Sequence, residues 1–176
     1  KNEFTVLPVG DGETFIKAME QGRIDAGMTT EPTISRLIAS GAASILVDLR
    51  TARSTEAVLG GIYPGACLYM PTAWVNAHKE EVQKIVNAFV KTLRYIQTHS
   101  AREIADKMPE EYYAANKALY IDALEVSKQT FTTDGVMPPG GPATVLDVLK
   151  KFDKLVQRKS INLANTYTTE FVDAAK

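Results

Sequence analysis

One cysteine, Cys67, stands in 176 residues, which excludes an internal disulfide framework and any zinc site built on several cysteines. Histidine is nearly as scarce: His78 and His99 have no second His or Glu at ligand spacing, so no metal motif forms. No apolar run approaches the roughly 18 residues that a membrane-spanning helix needs, and no charged-then-apolar leader opens the chain. Neither sign of charge is in excess. Twenty Lys and Arg face 21 Asp and Glu, for a net charge of -1, and nothing favours nucleic acid or an acidic membrane surface. The glycine pairs Gly60-Gly61 and Gly140-Gly141 do not follow a strand and open a helix, so neither is a dinucleotide fingerprint. Internal repeats and low-complexity stretches are absent. These absences leave no catalytic device, no metal site and no cofactor. Cys67 lies in an apolar stretch and reads as a buried, inert thiol, and both histidines read as helix-end residues.

What is present is a balanced globular composition, 45% hydrophobic and 23% charged, in a chain long enough for one domain or two small lobes. Lys1 leads almost at once into the strand pattern of residues 4–9 with no initiating Met, which reads as a chain cut within a fold. Gly10-Asp11-Gly12 is a turn in which Asp11 suits an N-cap. Phe15, Ile16, Ala18 and Met19 form a helical stripe that Gly22 stops. Residues 24–28 read as a second strand. Thr30 and Pro32 suit the start of the next helix, whose apolar face is Ile34, Leu37 and Ile38 and whose stop is Gly41. Residues 44–49 read as a third strand. Strand and helix in alternation predict an α/β architecture with a mostly parallel sheet.

Beyond residue 50 the rhythm changes. Residues 51–65 are polar and then turn-rich, and read as a crossover between two lobes that carries Tyr63, with Arg50 and Arg53 at its other end. Residues 66–70 read as a fourth strand. Asn76 suits the cap of a long helix with a stripe of Val82, Ile85, Val86, Phe89, Val90, Leu93 and Ile96. Ser100 with Glu103 is a capping box. Helices follow over 114–129, around 145–152 and over 167–175, with an irregular loop at 132–142.

The stretch from Gly22 to Pro32 is the most informative. A helix stop, a short strand and a polar helix start follow one another, so a helix N-terminus stands at the C-terminal end of a strand. Small ligands bind in that place in open α/β sheets. Thr29 and Thr30 offer hydroxyls to an acceptor on a ligand, and Glu31 suits a cationic or N–H-bearing one. The same residues also serve as ordinary helix caps. Gly10 and Asp11 form the equivalent loop one strand earlier.

Taken together, Val6-Leu7-Pro8-Val9-Gly10-Asp11, Ala18 to Gly27, Thr30-Glu31-Pro32, Leu46-Val47-Asp48, Tyr69 to Trp74 and Tyr167 to Phe171 resemble the substrate-binding proteins of ABC importers in the nitrate, sulfonate, taurine and thiamine-precursor group. The resemblance implies a periplasmic-binding-protein-like type II fold, present in part. Residues 1–50 would belong to the second lobe, 51–65 to the interlobe crossover, and 66–176 to a strand and the closing helices of the first lobe. The opening part of such a protein would precede Lys1. The resemblance further implies a non-enzymatic, periplasmic, exported or lipid-anchored protein. It would bind a small organic or inorganic anion or an aromatic precursor and pass it to ABC permease subunits. Its contacts would come from Thr29, Thr30, Glu31, Gly10, Asp11 and Tyr63. Open strand edges imply homo-oligomerisation, strand exchange or a companion fragment. Two alternatives share parts of the pattern: the effector domain of a LysR-type regulator, and a thiamine-pyrimidine-type enzyme, whose Cys-rich motif this chain does not carry.

Overall fold

The computed structural model describes residues 4–113 and 116–175. In chain order its α-helices are α1 (Glu13–Glu20), α2 (Thr33–Ala39), α3 (Ala52–Leu59), α4 (Thr72–Ala77), α5 (Lys79–Thr98), α6 (Ala101–Ala105), α7 (Lys117–Ser127), α8 (Gly141–Phe152), α9 (Lys154–Gln157) and α10 (Glu170–Asp173).

Glycine sets the ends of the first two helices. Gly22 takes φ +64°, its N–H reaches Met19 O, and the Arg23 N–H reaches Ala18 O. Gly41 at φ +72° repeats the pattern, with Ala42 N–H bonded to Leu37 O. Both are Schellman ends, in which a residue free to enter the left-handed region lets two orphan carbonyls find donors. The stops expected at Gly22 and Gly41 stand where the sequence places them.

The α/β expectation does not hold. Among the described residues no strand forms, and residues 4–9, 24–28, 44–49 and 66–70 are not joined by any ladder. The periplasmic-binding-protein-like architecture is therefore not what this chain adopts. The reason is that strand propensity is a preference for a pleated, partnered surface. These segments have the side chains of strands, but none offers its backbone groups to another. Helices close their hydrogen bonds internally and so form regardless.

Three smaller corrections concern helix boundaries. The stretch 51–65 is not all irregular: Thr51 caps α3, accepting the Ser54 N–H at 3.1 Å, and Gly60 ends it at φ +86°. Asn76 lies inside α4, and His78 stands at the N-cap of α5. Two residues of the helix expected over 114–129 lie outside the described residues, and α7 occupies the remainder to Ser127. The capping box is present: Ser100 Oγ accepts the Glu103 N–H, and Glu103 Oε2 accepts the Ser100 N–H at 2.8 Å.

The chain divides into two compact units. The first comprises residues 1–47 and 100–127, the second 48–99 and 128–176. In the first, Phe15, Ile16 and Leu37 form a buried cluster between α1 and α2, with Val9, Met19, Ile24, Ala42 and Ala43 packed against it. Arg36 on α2 meets Glu13 on α1 at 2.7 Å. Ala101, Ala105 and Ala123 are buried where α6 packs on α7, small side chains that let two helices approach closely. In the second unit, α5 buries Val82 and Val90 and leaves Phe89 exposed, so the expected stripe is narrower than the sequence pattern. α10 lies along α5. Phe171 is buried there, and Gln83 Nε2 donates to Phe171 O at 2.8 Å.

Candidate functional site

The first unit gathers two loops at one end. The loop at residues 10–12 enters α1, and the loop at 29–32 enters α2. Their link is Asp11: its Oδ1 accepts the Gly12 N–H at 2.7 Å and the Thr29 hydroxyl at 2.8 Å. The Thr33 hydroxyl adds a further favourable contact, and Thr33 itself is buried in the first turn of α2. The Thr29 hydroxyl first and the Gly12 N–H second hold the Asp11 carboxyl below its ordinary value, with burial opposing them. Gly10 is required twice over. It sits at φ +77°, and a Cβ there would lie 2.7 Å from Thr14 Oγ1, the hydroxyl that donates to Asp11 O.

Asp11 is thus not the N-cap of α1. That position is Gly12, with no side-chain cap bond. Thr30 likewise does not cap α2, whose N-cap position is Pro32. The acceptor at that helix start is Glu31, whose Oε2 takes the Ser35 N–H at 3.1 Å. Thr30 presents an exposed hydroxyl, and its carbonyl accepts the Ile34 N–H at 3.3 Å.

Five of the six residues singled out from sequence, Gly10, Asp11, Thr29, Thr30 and Glu31, therefore stand on these two linked loops. Tyr63 belongs to the second unit. It is half-buried there, in a stretch held against the start of α8: a Cβ at Gly61 would meet Thr144 Oγ1 at 2.5 Å, and one at Gly141 would meet the Pro64 ring at 3.0 Å. The sequence singles out neither Thr33 nor, beyond its place in the resembling stretch, Gly27. Gly27 lies so close over α1 that an added Cβ would stand 2.5 Å from Phe15 Cζ. A threonine in a helix first turn and a glycine in an apolar run carry no local mark of a long-range contact.

The other candidates are accounted for locally. His78 stacks on Trp74 with ring centres 4.5 Å apart, and its Nδ1 lies 2.9 Å from Trp74 O. His99 stacks on Tyr95 at 3.6 Å and likewise meets its carbonyl. Arg50 grips Asp48 with two nitrogens, at 3.0 and 2.9 Å. Cys67 is exposed, against the buried thiol expected, in a segment that is neither helix nor strand. No group of His, Cys, Asp and Glu suited to a metal ion occurs among the described residues. An open depression in the first unit is lined by Ile16, Glu20, Arg36, Ala39, Ser40 and Leu119, and includes none of the six candidates.

Electrostatically the linked loops carry two carboxylates, Asp11 and Glu31. Glu31 is only two residues beyond Thr29, a reach of about 7 Å at full extension. Asp11 has its donors, and the Thr29 hydroxyl is spent on it. Thr30 offers its exposed hydroxyl to a solute at this end, beside a negative field.

No family model matches this sequence, and no curated protein matches it. Among solved structures it is similar to one of a protein from Bordetella bronchiseptica RB50, with 36% identity and a TM-score of 0.87. The match covers 94% of this chain and 52% of the other, so this chain spans about half the length of that protein.

Proposed function

We propose that the chain is part of a non-enzymatic solute-binding protein that delivers a small molecule to an ABC permease outside the cytoplasm. The observation that carries the reading is the Thr29–Asp11 hydrogen bond at 2.8 Å, which joins two loops 18 residues apart into one surface at the mouths of two helices. The likeness of the motifs around it to importer-binding proteins supports the rest.

Charge narrows the ligand. A bare anion placed at these loops would face Asp11 and Glu31 with the Thr29 hydroxyl already committed. A solute bearing N–H donors would gain from the same carboxylates and from the Thr30 hydroxyl. The ligand class we propose is therefore a small amine or amino-heterocycle, in preference to nitrate or a simple sulfonate.

The test is a thermal-shift panel with taurine, ethanolamine and 4-aminopyrimidine against methanesulfonate and nitrate, on this chain and on a longer protein that contains it. At least one N–H-bearing solute is expected to raise Tm, and Glu31→Gln to abolish that shift. Gln retains an oxygen for the Ser35 N–H, so the variant keeps its helix start. A shift from nitrate or methanesulfonate alone would reverse the ligand assignment, and no shift from any of the five would remove the binding role.

A further inference from the structure

The net charge of -1 conceals an uneven distribution. Residues 150–159, at the end of α8 and along α9 in the second unit, hold five cations against one carboxylate. The cations are Lys150, Lys151, Lys154, Arg158 and Lys159. All five are exposed, and among the described residues none is ion-paired. The carboxylate, Asp153, is occupied elsewhere: its Oδ1 accepts the Leu155 N–H at 2.7 Å and the Val156 N–H at 3.4 Å. Asp153 also closes α8, its own N–H reaching Leu149 O at 2.7 Å, and Gln157 Nε2 donates to Lys151 O at 3.3 Å. The two helices therefore meet in a corner held by hydrogen bonds. At that corner two large apolar side chains stand in water, Phe152 at 81% exposure and Leu155 at 75%.

Local helix stability accounts for only part of this. Lys150 and Lys151 suit the last turn of α8, where cations meet the negative end of the helix. That reason does not extend to Lys154 in the first turn of α9, nor to Phe152 and Leu155. Occupants differ in what they satisfy. An apolar protein groove would cover Phe152 and Leu155 but desolvate the cations beside them. An acidic polypeptide would pair with the cations and leave the apolar groups in water. The surface of an anionic bilayer meets both needs. Its phosphates lie at the level of the cations, its acyl chains begin a few ångströms deeper, and Lys and Arg stems lie along that boundary with their charged heads outward. Clusters of four or more such cations draw a protein to anionic lipid, with roughly fivefold in affinity for each charge.

We infer that residues 150–159 form a surface for peripheral attachment to an anionic lipid bilayer, in which Phe152 and Leu155 enter the headgroup boundary while the five cations hold phosphates. The inference uses none of the residues on the loops at 10–12 and 29–32, so it stands or falls apart from the solute proposed above.

The experiment is sedimentation with vesicles of phosphatidylcholine alone and of phosphatidylcholine with about one third phosphatidylglycerol, using this chain and a longer protein that contains it. Both proteins are expected to bind the anionic vesicles at least about tenfold more tightly than the neutral ones, and to lose most of that binding between about 0.05 and 0.5 M salt. Lys150→Gln, Lys151→Gln and Lys154→Gln combined should weaken it on the order of 100-fold. Phe152→Ser with Leu155→Ser should weaken it at least about tenfold and leave the residual binding salt-sensitive. All five positions are exposed, so an unchanged Tm is expected in both variants and separates lost attachment from lost fold. Equal binding to neutral and anionic vesicles overturns the inference, as does anionic binding that the three Gln substitutions leave intact. Binding by this chain that the longer protein does not show overturns it too, because the surface would then be covered in that protein. Capture of a poly-glutamate peptide without vesicle binding would make the occupant an acidic polypeptide, and binding to neither would leave the corner without the proposed role.

Discussion

Asp11 illustrates how much one residue can hold together in this molecule. Its carboxylate ties the entry of α1 to the entry of α2 through the Thr29 hydroxyl. Because the folded chain holds this carboxyl below its ordinary value of 3.8, the folded state favours the ionised form. The stabilisation is then complete above that value and is lost as pH falls through the lower, folded one. Asp11→Asn should therefore destabilise the chain by a small amount that is constant above about pH 5 and vanishes at lower pH. The group is exposed and screened, so the difference should stay under about 1 kcal/mol. Urea titrations of both proteins across pH 2–7 measure it; a gap that persists at the acid end would assign the effect to shape and not to charge. The sequence points to Asp11 through its place between two glycines. It does not point to Thr29 as the donor, because a pairing across 18 residues depends on where two helices are packed.

At the scale of elements, the helix ends follow local chemistry closely. The Gly22 and Gly41 stops and the Ser100–Glu103 box all sit where residue type alone puts them, since a cap is closed within a few residues and needs no tertiary partner. Ser100→Ala should cost about 1 kcal/mol, within the range of 0.5–2 known for such caps. The loss should show as faster amide exchange in α6, whose Ala101, Ile104 and Ala105 are buried, with exchange in α1 unchanged. Equal acceleration in both would mean that the cap acts on more than its own helix. Where element prediction failed, the failing signal was local as well. Thr51 and Gly60 bracket α3 with an ordinary cap and an ordinary stop, but the apolar spacing inside it is weak and no residue of it is buried. The split between α4 and α5 at His78 was hidden because the apolar stripe of α5 dominates the pattern around it.

For the whole molecule, the prominent fact is the strand-like sequence that makes no strand. The chain alone should give a far-UV circular dichroism spectrum with the helical double minimum and an amide I band without the intermolecular or intramolecular β component. A strong β component in the monomer would contradict the helical architecture described above. Amides in α5, bonded within a 20-residue helix, should exchange far more slowly than those of residues 4–9. The exposed Val6, Met28 and Leu46 also make this chain a candidate for association as concentration rises, since unpaired apolar edges recruit whatever backbone is at hand.

The sequence by itself determined the helix stops at Gly22 and Gly41, the Ser100–Glu103 capping box, the absence of a cysteine framework or histidine cluster, and the two loops on which Gly10, Asp11, Thr29, Thr30 and Glu31 stand. Each of these rests on interactions closed within a few residues or on the mere presence of a residue type. Only the tertiary structure decided that the four apolar segments remain unpaired, that Cys67 is exposed, that Tyr63 belongs to a different unit from the other candidates, and that Asp11 consumes the Thr29 hydroxyl. Those outcomes depend on which backbone and which side chain lie opposite, and a strand, unlike a helix, has no partner within itself.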